Sequence, residues 1–513
     1  MKRILALLLV VLVLLSAGCA SLPPPQGRIA SVALADTAGT RLGRAIAPQL
    51  AANPGQSGVY GLPDGYDAFA ARIVLATAAE KSIDAQYFIW HDDQIGRLLF
   101  EALRRAAERG VRVRLLLDDG GTAGIDAILA ALDAHPHIEV RLYNPFVQRG
   151  SRTLGYLSDF TRLNRRMHNK SFTADNQVSV VGGRNIANGY FAADLAFGFA
   201  DLDVVLIGPV VQQVSQQFDL YWNSASAYAA ADFVGTAPAD AAAHINLAAT
   251  QSDPLAVAYL DVVSQSEILR QMLEQDVPMD WSFAQVLYDT PEKTLDRSQR
   301  TDVLLLPALV ERMGRPTRTF DIISPYFVPG EDGTAMLAEL ARDGVKVRVL
   351  TNSLASSDER IVHAGYMKRR RDLLRAGVAL YELKPTANRQ ETKVRGRFGP
   401  AKVAGLHAKT YAVDGERIFV GSFNFDPRSL HLNTELGVVI HNPRAAVELS
   451  EFFDQDVLQQ AYELRLGPDG QALVWIERDA LGQETRYDAD PESHWANRAA
   501  VELLSHLPID WLL

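Results

Sequence analysis

One polar signature is spelled twice in this chain, and the elements around it are repeated as well. The first copy reads Met167-His168-Asn169-Lys170-Ser171-Phe172-Thr173-Ala174-Asp175 and closes with Gly182-Gly183-Arg184-Asn185. The second reads Leu406-His407-Ala408-Lys409-Thr410-Tyr411-Ala412-Val413-Asp414 and closes with Gly421-Ser422-Phe423-Asn424. Upstream, a β-branched and aromatic run (82–89), an amphipathic stretch (96–109) and an apolar run (110–117) recur as 320–327, 334–342 and 344–350. Tyr87 precedes His168 by 81 positions, and Tyr326 precedes His407 by the same 81. Such a repeat folds as two homologous lobes. Strand runs alternate with helical periodicity inside each, which predicts α/β lobes, each a mixed, largely parallel sheet flanked by helices.

The repeat sets the boundaries. Lobe 1 spans 53–230 and lobe 2 spans 283–466, where Val286-Leu287-Tyr288-Asp289-Thr290-Pro291 echoes Val59-Tyr60-Gly61-Leu62-Pro63. Between them 231–282 is Ala-rich and reads as a connecting segment with one helix over 256–273. The tail, 467–513, contains two short strand runs around Leu481-Gly482 and reads as a hairpin with a C-terminal segment.

The start reads as a targeting signal, 1–18. Lys2 and Arg3 precede an unbroken apolar run, 4–15, and Ser16-Ala17-Gly18 are small. The run is short for a membrane span. Cys19, the single cysteine of the chain, follows directly. This arrangement resembles the lipobox of bacterial lipoproteins, which implies a diacylated Cys19 and export. Residues 19–52, beginning with a stiff Pro-rich stretch, then form a tether. An ordinary secretory signal followed by a free thiol is the alternative. Ala20 after the cysteine favours the outer membrane, by resemblance to enterobacterial sorting.

Each signature carries His-x-Lys-x4-Asp. On an extended strand, His and Lys two apart share a face. An imidazole beside an ammonium suits a phosphodiester, whose non-bridging oxygens need positive charge and whose phosphorus needs an attacking or proton-donating group. A given His meets both spacing requirements with a chance on the order of one in a thousand. Two of the eleven His do so at equivalent places in a repeat, which coincidence does not explain. Two signatures on facing lobes supply two imidazoles, two ammoniums and two carboxamides, enough for displacement and leaving-group protonation. The other His show no metal-ligand spacing, so neither metal nor other cofactor is expected.

The paired signatures, with their Gly-x-x-Asn extensions, resemble the motifs of the phospholipase D superfamily. The stretch 162–172 and the Trp/Tyr-rich tail look most like bacterial C-type cardiolipin synthases. The resemblance implies two lobes meeting at one active site and a phosphohistidine intermediate. It carries the catalytic signature onto His168, Lys170, Asp175, His407, Lys409 and Asp414. His168 takes the role of nucleophile and His407 that of general acid, then base. Lys170, Lys409, Asn185, Asn424 and Ser422 fall to the phosphate. Asp175 and Asp414 sit an odd number of places from their His, so a strand would turn them away; they are expected to be structural. Each His needs a carboxylate to fix its tautomer. Asp201 and Glu435, each just ahead of the next apolar strand, are the candidates, with Asp203 a rival to Asp201.

The expected activity is phosphatidyl transfer in a bacterial envelope, making cardiolipin from phosphatidylglycerol or phosphatidylethanolamine. Hydrolysis to phosphatidic acid uses the same residues. A nuclease would also, but a net charge of −10 argues against a nucleic-acid surface. An inactive lipid-binding envelope protein has no chemical need for both signatures. The family resemblance extends to a macrodomain partner as activator. His363, Tyr366 and residues 368–371 present either a head-group grip or a solvated helix face.

Overall fold

The computed structural model describes residues 22, 28–194, 196–237, 254–274, 276–295, 301–387, 403–479 and 481–507. The apolar run 4–15, Cys19 and the last six residues lie outside the described residues.

The helix Gln94–Glu108 shows how the sequence writes these elements. Asp93 caps it by accepting the Gly96 N–H, and Ile95, Leu98, Leu99, Leu103 and Ala106 fall on one buried face. The chain leaves at Gly110, whose φ of +91° suits glycine. The buried face packs on the first of two large sheets.

That sheet has nine strands in the order β10 (Asp280–Ser282), β1 (Ser57–Leu62), β8 (Asp203–Ile207), β6 (Val178–Gly182), β5 (Ser171–Ala174), β2 (Ser82–Ile89), β3 (Arg112–Gly121), β4 (Ile138–Tyr143) and β9 (Ala227–Ala229). The second has ten: β11 (Ala284–Tyr288), β18 (Leu436–Ile440), β17 (Arg417–Gly421), β16 (Lys409–Val413), β12 (Thr319–Ile323), β13 (Lys346–Asn352), β14 (Ala379–Leu383), β19 (Ala461–Leu466), β20 (Leu473–Arg478) and β21 (Glu484–Tyr487). The order β1-β8-β6-β5-β2-β3-β4 is repeated as β11-β18-β17-β16-β12-β13-β14, so the duplication is one of fold as well as sequence. Both sheets are mixed. Their parallel part is confined to β2–β3–β4 and β12–β13–β14, less than strand–helix alternation implied. The signature strands fold back as antiparallel hairpins, β5–β6 and β16–β17, which need no helical crossover.

The lobes meet through an apolar layer. Val59, Val181, Val204 and Leu206 of the first sheet and Ala412, Ile418, Val420, Val438 and Ile440 of the second form one buried cluster. A two-stranded parallel ribbon, β7 (Phe197–Ala200) with β15 (Val403–Leu406), also joins the lobes.

The boundary near Phe283 falls between β10, in the first sheet, and β11, in the second. Part of the connecting segment belongs to lobe 1: Tyr259, Val263 and Ile268 sit in its core, and β10 closes its edge. Its expected single helix is two, Pro254–Ser264 and Glu267–Glu274. In the tail, β20 and β21 pair antiparallel and extend the second sheet through β19. Among the described residues no helix is long and apolar enough to cross a membrane.

Candidate active site

Both signature histidines lie just before their strands, at the seam between lobes. The His168 backbone N–H donates to the Thr434 carbonyl, 2.9 Å away, and the His407 N–H to the Ala200 carbonyl, 2.8 Å away. Each acceptor immediately precedes a buried carboxylate. The pairing is therefore crossed: His168 Nδ1 lies 2.8 Å from Glu435 Oε2, and His407 Nδ1 lies 2.6 Å from Asp201 Oδ2. Each imidazole is held by a carboxylate of the other lobe, which leaves its Nε2 for chemistry. Asp203, the rival, is engaged elsewhere: it binds the buried Arg72 at 2.9 Å. Both histidines are almost wholly buried, His168 at 6% and His407 at 4% exposure. His168 lies edge-on to Phe88, and His407 edge-on to Tyr190 and tilted against Phe199.

Lys170 Nζ donates to the His168 carbonyl at 2.6 Å, and Lys409 Nζ to the His407 carbonyl at 2.5 Å. Burial lowers the pKa of both ammoniums, Lys170 well below its ordinary value and Lys409 to about 8. Each histidine feels both lysines, so the two signatures form one electrostatic site. Burial, then Lys170, Lys409 and Arg428, holds His168 well below the usual imidazole range. Burial and Lys409 hold His407 at about 4, against the pull of Asp201.

The carboxylates differ. Burial alone would raise the pKa of Asp201, but His407, Lys409 and Arg184 bring it to about 2. Burial wins at Glu435 and pushes it up to about 7, opposed by Lys170, by hydroxyls of Ser422 and Ser429, and by Lys293. Ser422 Oγ donates to Glu435 Oε2 at 2.5 Å and Ser429 Oγ to Oε1 at 2.7 Å. Behind them Asp289 accepts the Glu435 N–H at 2.8 Å and pairs with the buried Lys293 at 2.8 Å.

This difference is written in the signature's Gly-Gly against Gly-Ser. A Cβ on Gly183 would lie 2.1 Å from Asp201 Oδ1, so only glycine lets that carboxylate approach. Ser422 occupies the equivalent place and grips Glu435 instead. The signature glycine Gly183 thus permits a close approach. Ser422, expected at the phosphate, has its hydroxyl on Glu435.

Asn185 is anchored: Oδ1 accepts the Ile89 N–H at 3.2 Å and Nδ2 donates to Tyr190 Oη at 3.0 Å. Asn424 keeps a buried Oδ1 with no partner among the described residues. Tyr326 stands with its ring 5.9 Å from Lys409 Nζ, whereas Phe327 is core. Asp175 and Asp414 lie past their strands, in hairpin turns at φ +52° and +56°, so strand parity does not govern them. Asp175 accepts the backbone N–H groups of Glu80, Lys81 and Ser82, and Asp414 those of Thr317, Arg318 and Thr319. His363, Tyr366 and Arg370 are interior: Arg370 pairs with Glu382 and Asp490 and meets His363 at 2.6 Å. Sequence reasoning missed Asp289, Lys293, Tyr190 and Ser429; none lies inside the motif, and only Asp289 fell within a repeated run.

Two half-sites, each an imidazole with its lysine held by a carboxylate of the other lobe, supply groups that can hold a phosphodiester, attack it and protonate the departing oxygen.

Comparison with known proteins gives a consistent result. The family described as "Cardiolipin synthase, PLD-like domain" matches residues 73–222 and 309–457. The chain is 46% identical to cardiolipin synthase C of Escherichia coli (strain K12), over 92% of this chain and 100% of that protein. It is 26% identical to a cardiolipin synthase of Geobacillus kaustophilus (strain HTA426), over 77% of this chain and 65% of that one. Among solved structures, phosphatidylserine synthase of Haemophilus influenzae Rd KW20 superposes with a TM-score of 0.56 at 13% identity, covering 92% of this chain and all of that one. That likeness is one of fold.

Proposed function

This chain belongs to the cardiolipin synthase, PLD-like domain family, and from that membership we propose that it is a phosphatidyltransferase that makes cardiolipin from membrane phospholipids through a phosphohistidine. The crossed His–carboxylate pairs carry the reading. His168 Nε2 attacks phosphorus and the head-group P–O bond breaks. His407 gives its Nε2 proton to the departing oxygen, leaving a phosphatidyl group on His168 and a free head group. A second lipid's hydroxyl then gives its proton to His407 and attacks phosphorus, the P–N bond breaks, and His168 is restored. Lys170, Lys409, Asn185 and Asn424 surround the non-bridging oxygens.

The unequal carboxylates support this order. Ionised Asp201 opposes the burial and the Lys409 charge that hold His407 at about 4, and a bound phosphodiester anion adds the negative charge that lets His407 carry its Nε2 proton. Burial and the charges of Lys170, Lys409 and Arg428 keep the His168 imidazole neutral and its lone pair available. Anchoring through acylated Cys19 at the periplasmic face of the outer membrane is part of the proposal, supported by the lipobox-like start; a macrodomain activator rests on family resemblance alone.

The test is mass-resolved product analysis after incubation with mixed phosphatidylglycerol and phosphatidylethanolamine vesicles, with His168→Ala as control. Cardiolipin formed only by the intact protein is expected. Phosphatidic acid alone would make the protein a phospholipase.

A further inference from the structure

Five residues past its motif asparagine each lobe places a hydroxyl, and the two are used differently. In lobe 2 this is Ser429, whose Oγ accepts the Asn424 backbone N–H at 3.2 Å and donates to Glu435 Oε1 at 2.7 Å. In lobe 1 it is Tyr190, which ends a single 3₁₀ turn, Asn188–Tyr190. The Tyr190 N–H donates to the Ala187 carbonyl at 3.0 Å, and its carbonyl accepts from Arg184 Nε at 3.1 Å. The ring reaches across the seam. It lies edge-on to His407 with centroids 4.9 Å apart and stacks on Phe199 at 4.6 Å. So held, Tyr190 is only 8% exposed.

The Tyr190 hydroxyl keeps a proton to give. Asn185 Oδ1 accepts the Ile89 N–H at 3.2 Å, which fixes the amide orientation and makes Nδ2 the donor to Tyr190 Oη, 3.0 Å away. In that bond the phenol oxygen accepts, so its own O–H points elsewhere. Among the described residues no group accepts it. A buried tyrosine hydroxyl ordinarily finds an acceptor, because an unmet donor is destabilising. Burial, opposed by the Asn185 bond and reinforced by the charges of Asp201 and Asp358, raises the Tyr190 pKa. The phenol therefore stays neutral, a donor that does not lose its proton.

We propose that Tyr190 is a catalytic residue, its hydroxyl donating to a non-bridging phosphoryl oxygen of the phosphodiester between His168 and His407. The acceptor follows from the place. The hydroxyl lies one hydrogen bond from Asn185, one of the groups proposed to surround those oxygens, and its ring lies against the imidazole that protonates the departing oxygen. A fixed neutral donor in a buried site gains most where negative charge concentrates in the transition state. Ser429, at the equivalent place, is spent on Glu435, so this donor comes from lobe 1 alone. The inference rests on the proposed activity.

Tyr190→Phe in the full chain removes the hydroxyl and keeps the ring against His407 and Phe199. On vesicles of phosphatidylglycerol and phosphatidylethanolamine it should lower kcat about tenfold or more and leave KM within about twofold. Orthovanadate, which takes up five-coordinate oxyanion geometry, should bind the variant about tenfold more weakly than wild type, measured by calorimetry. A role confined to anchoring Asn185 has a different signature, because Tyr190→Phe would then change nothing in an Asn185→Ala background. A further loss of vanadate affinity in that background is expected. Vanadate binding that Tyr190→Phe leaves unchanged, or weakens only while Asn185 is present, would overturn the assignment whatever the turnover. A wild type that forms neither cardiolipin nor phosphatidic acid, yet loses vanadate affinity on Tyr190→Phe, would instead defeat the proposed activity and keep the hydroxyl at an oxyanion site.

Discussion

The two halves of the active site are copies in sequence and unlike in electrostatics. In one, His407 rests on Asp201, whose carboxylate is held ionised down to about pH 2 by His407, Lys409 and Arg184 against its burial. In the other, His168 rests on Glu435, which burial raises to about 7 among Ser422, Ser429, Asp289 and Lys293. A duplicated gene supplies two imidazoles for nothing; a displacement needs one to attack and the other to manage a proton. The lesson is that division of labour lies in the supports. Asp201, fully charged, pulls back part of the proton affinity that burial and Lys409 take from His407, while Glu435 changes charge near pH 7 beneath His168.

The largest expected effect tests the division directly. His168→Ala should lose at least about 10⁴-fold in turnover on any substrate, because no nucleophile remains. His407→Ala should lose about 10²–10⁴-fold on natural lipids, yet release an activated leaving group such as p-nitrophenol in one burst and trap the phosphatidyl group on His168. Intact-mass measurement of the stalled protein reads this. The opposite pattern, a trapped adduct on His407, would reverse the assignment.

How much of this was visible beforehand depends on what a residue's neighbours in sequence reveal. The lobes, the signatures and both supporting carboxylates stood out, since repeats and apolar strands are local patterns. Which carboxylate serves which histidine did not, because strand periodicity places Asp201 and Glu435 within a lobe and is silent on the seam they cross. Arg370 looked like a solvated helix face for the same reason: Glu382 and Asp490, which neutralise it, come from distant parts of the chain. The three-residue β10 was too short to carry a period, so a segment that completes the first sheet read as a linker. Nothing local to Gly183 announces that a carboxylate will press against its Cα.

The next effect is on pH dependence. Glu435 has a raised pKa, so it takes up a proton as pH falls through about 7, and turnover should fall on that acidic side. His407's support stays charged there. Glu435→Gln should remove this limb at a cost in rate; Asp201→Asn should lower the rate by about 10⁴-fold, as mispaired tautomers do, while keeping the limb. Stability has the opposite sign. An acid whose folded pKa exceeds its unfolded value costs nothing below about 4.5 and progressively destabilises the fold up to about 7, by about 3 kcal/mol in all. Asp289 and Asp426, both raised to about 6, act in the same direction. The measurement is therefore the difference in melting between wild type and Glu435→Gln, which should grow from pH 4.5 to 7. A difference independent of pH would mean that Glu435 is charged throughout and that the half-sites are alike.

A smaller change sharpens the comparison. Glu435 is faced by His168 and Lys170 across the seam, by Asp426 and the two serines beside it, and by Asp289 with Lys293 behind it. Lys293→Met removes a cation that favours ionisation, so the acidic limb should move to higher pH by about one unit. Lys293→Arg should restore it. A merely structural lysine would lower the melting temperature and leave the limb where it was.

The smallest effect on activity is expected where the two halves are most alike. Asp175 and Asp414 each hold three backbone N–H groups of the segment entering the first central strand of their lobe, β2 or β12. They sit in left-handed turns, where Asp is tolerated better than most side chains. Asparagine keeps one acceptor oxygen but loses the charge, at a cost of about 1–3 kcal/mol of stability. The cost should be greater for Asp175, which is fully buried, than for the half-buried Asp414. Turnover per folded molecule should stay within about twofold in both. If Asp175→Asn instead lost activity on the scale of His407→Ala while still folded, the aspartate would have to act on the proton, and the supports would no longer account for the asymmetry by themselves.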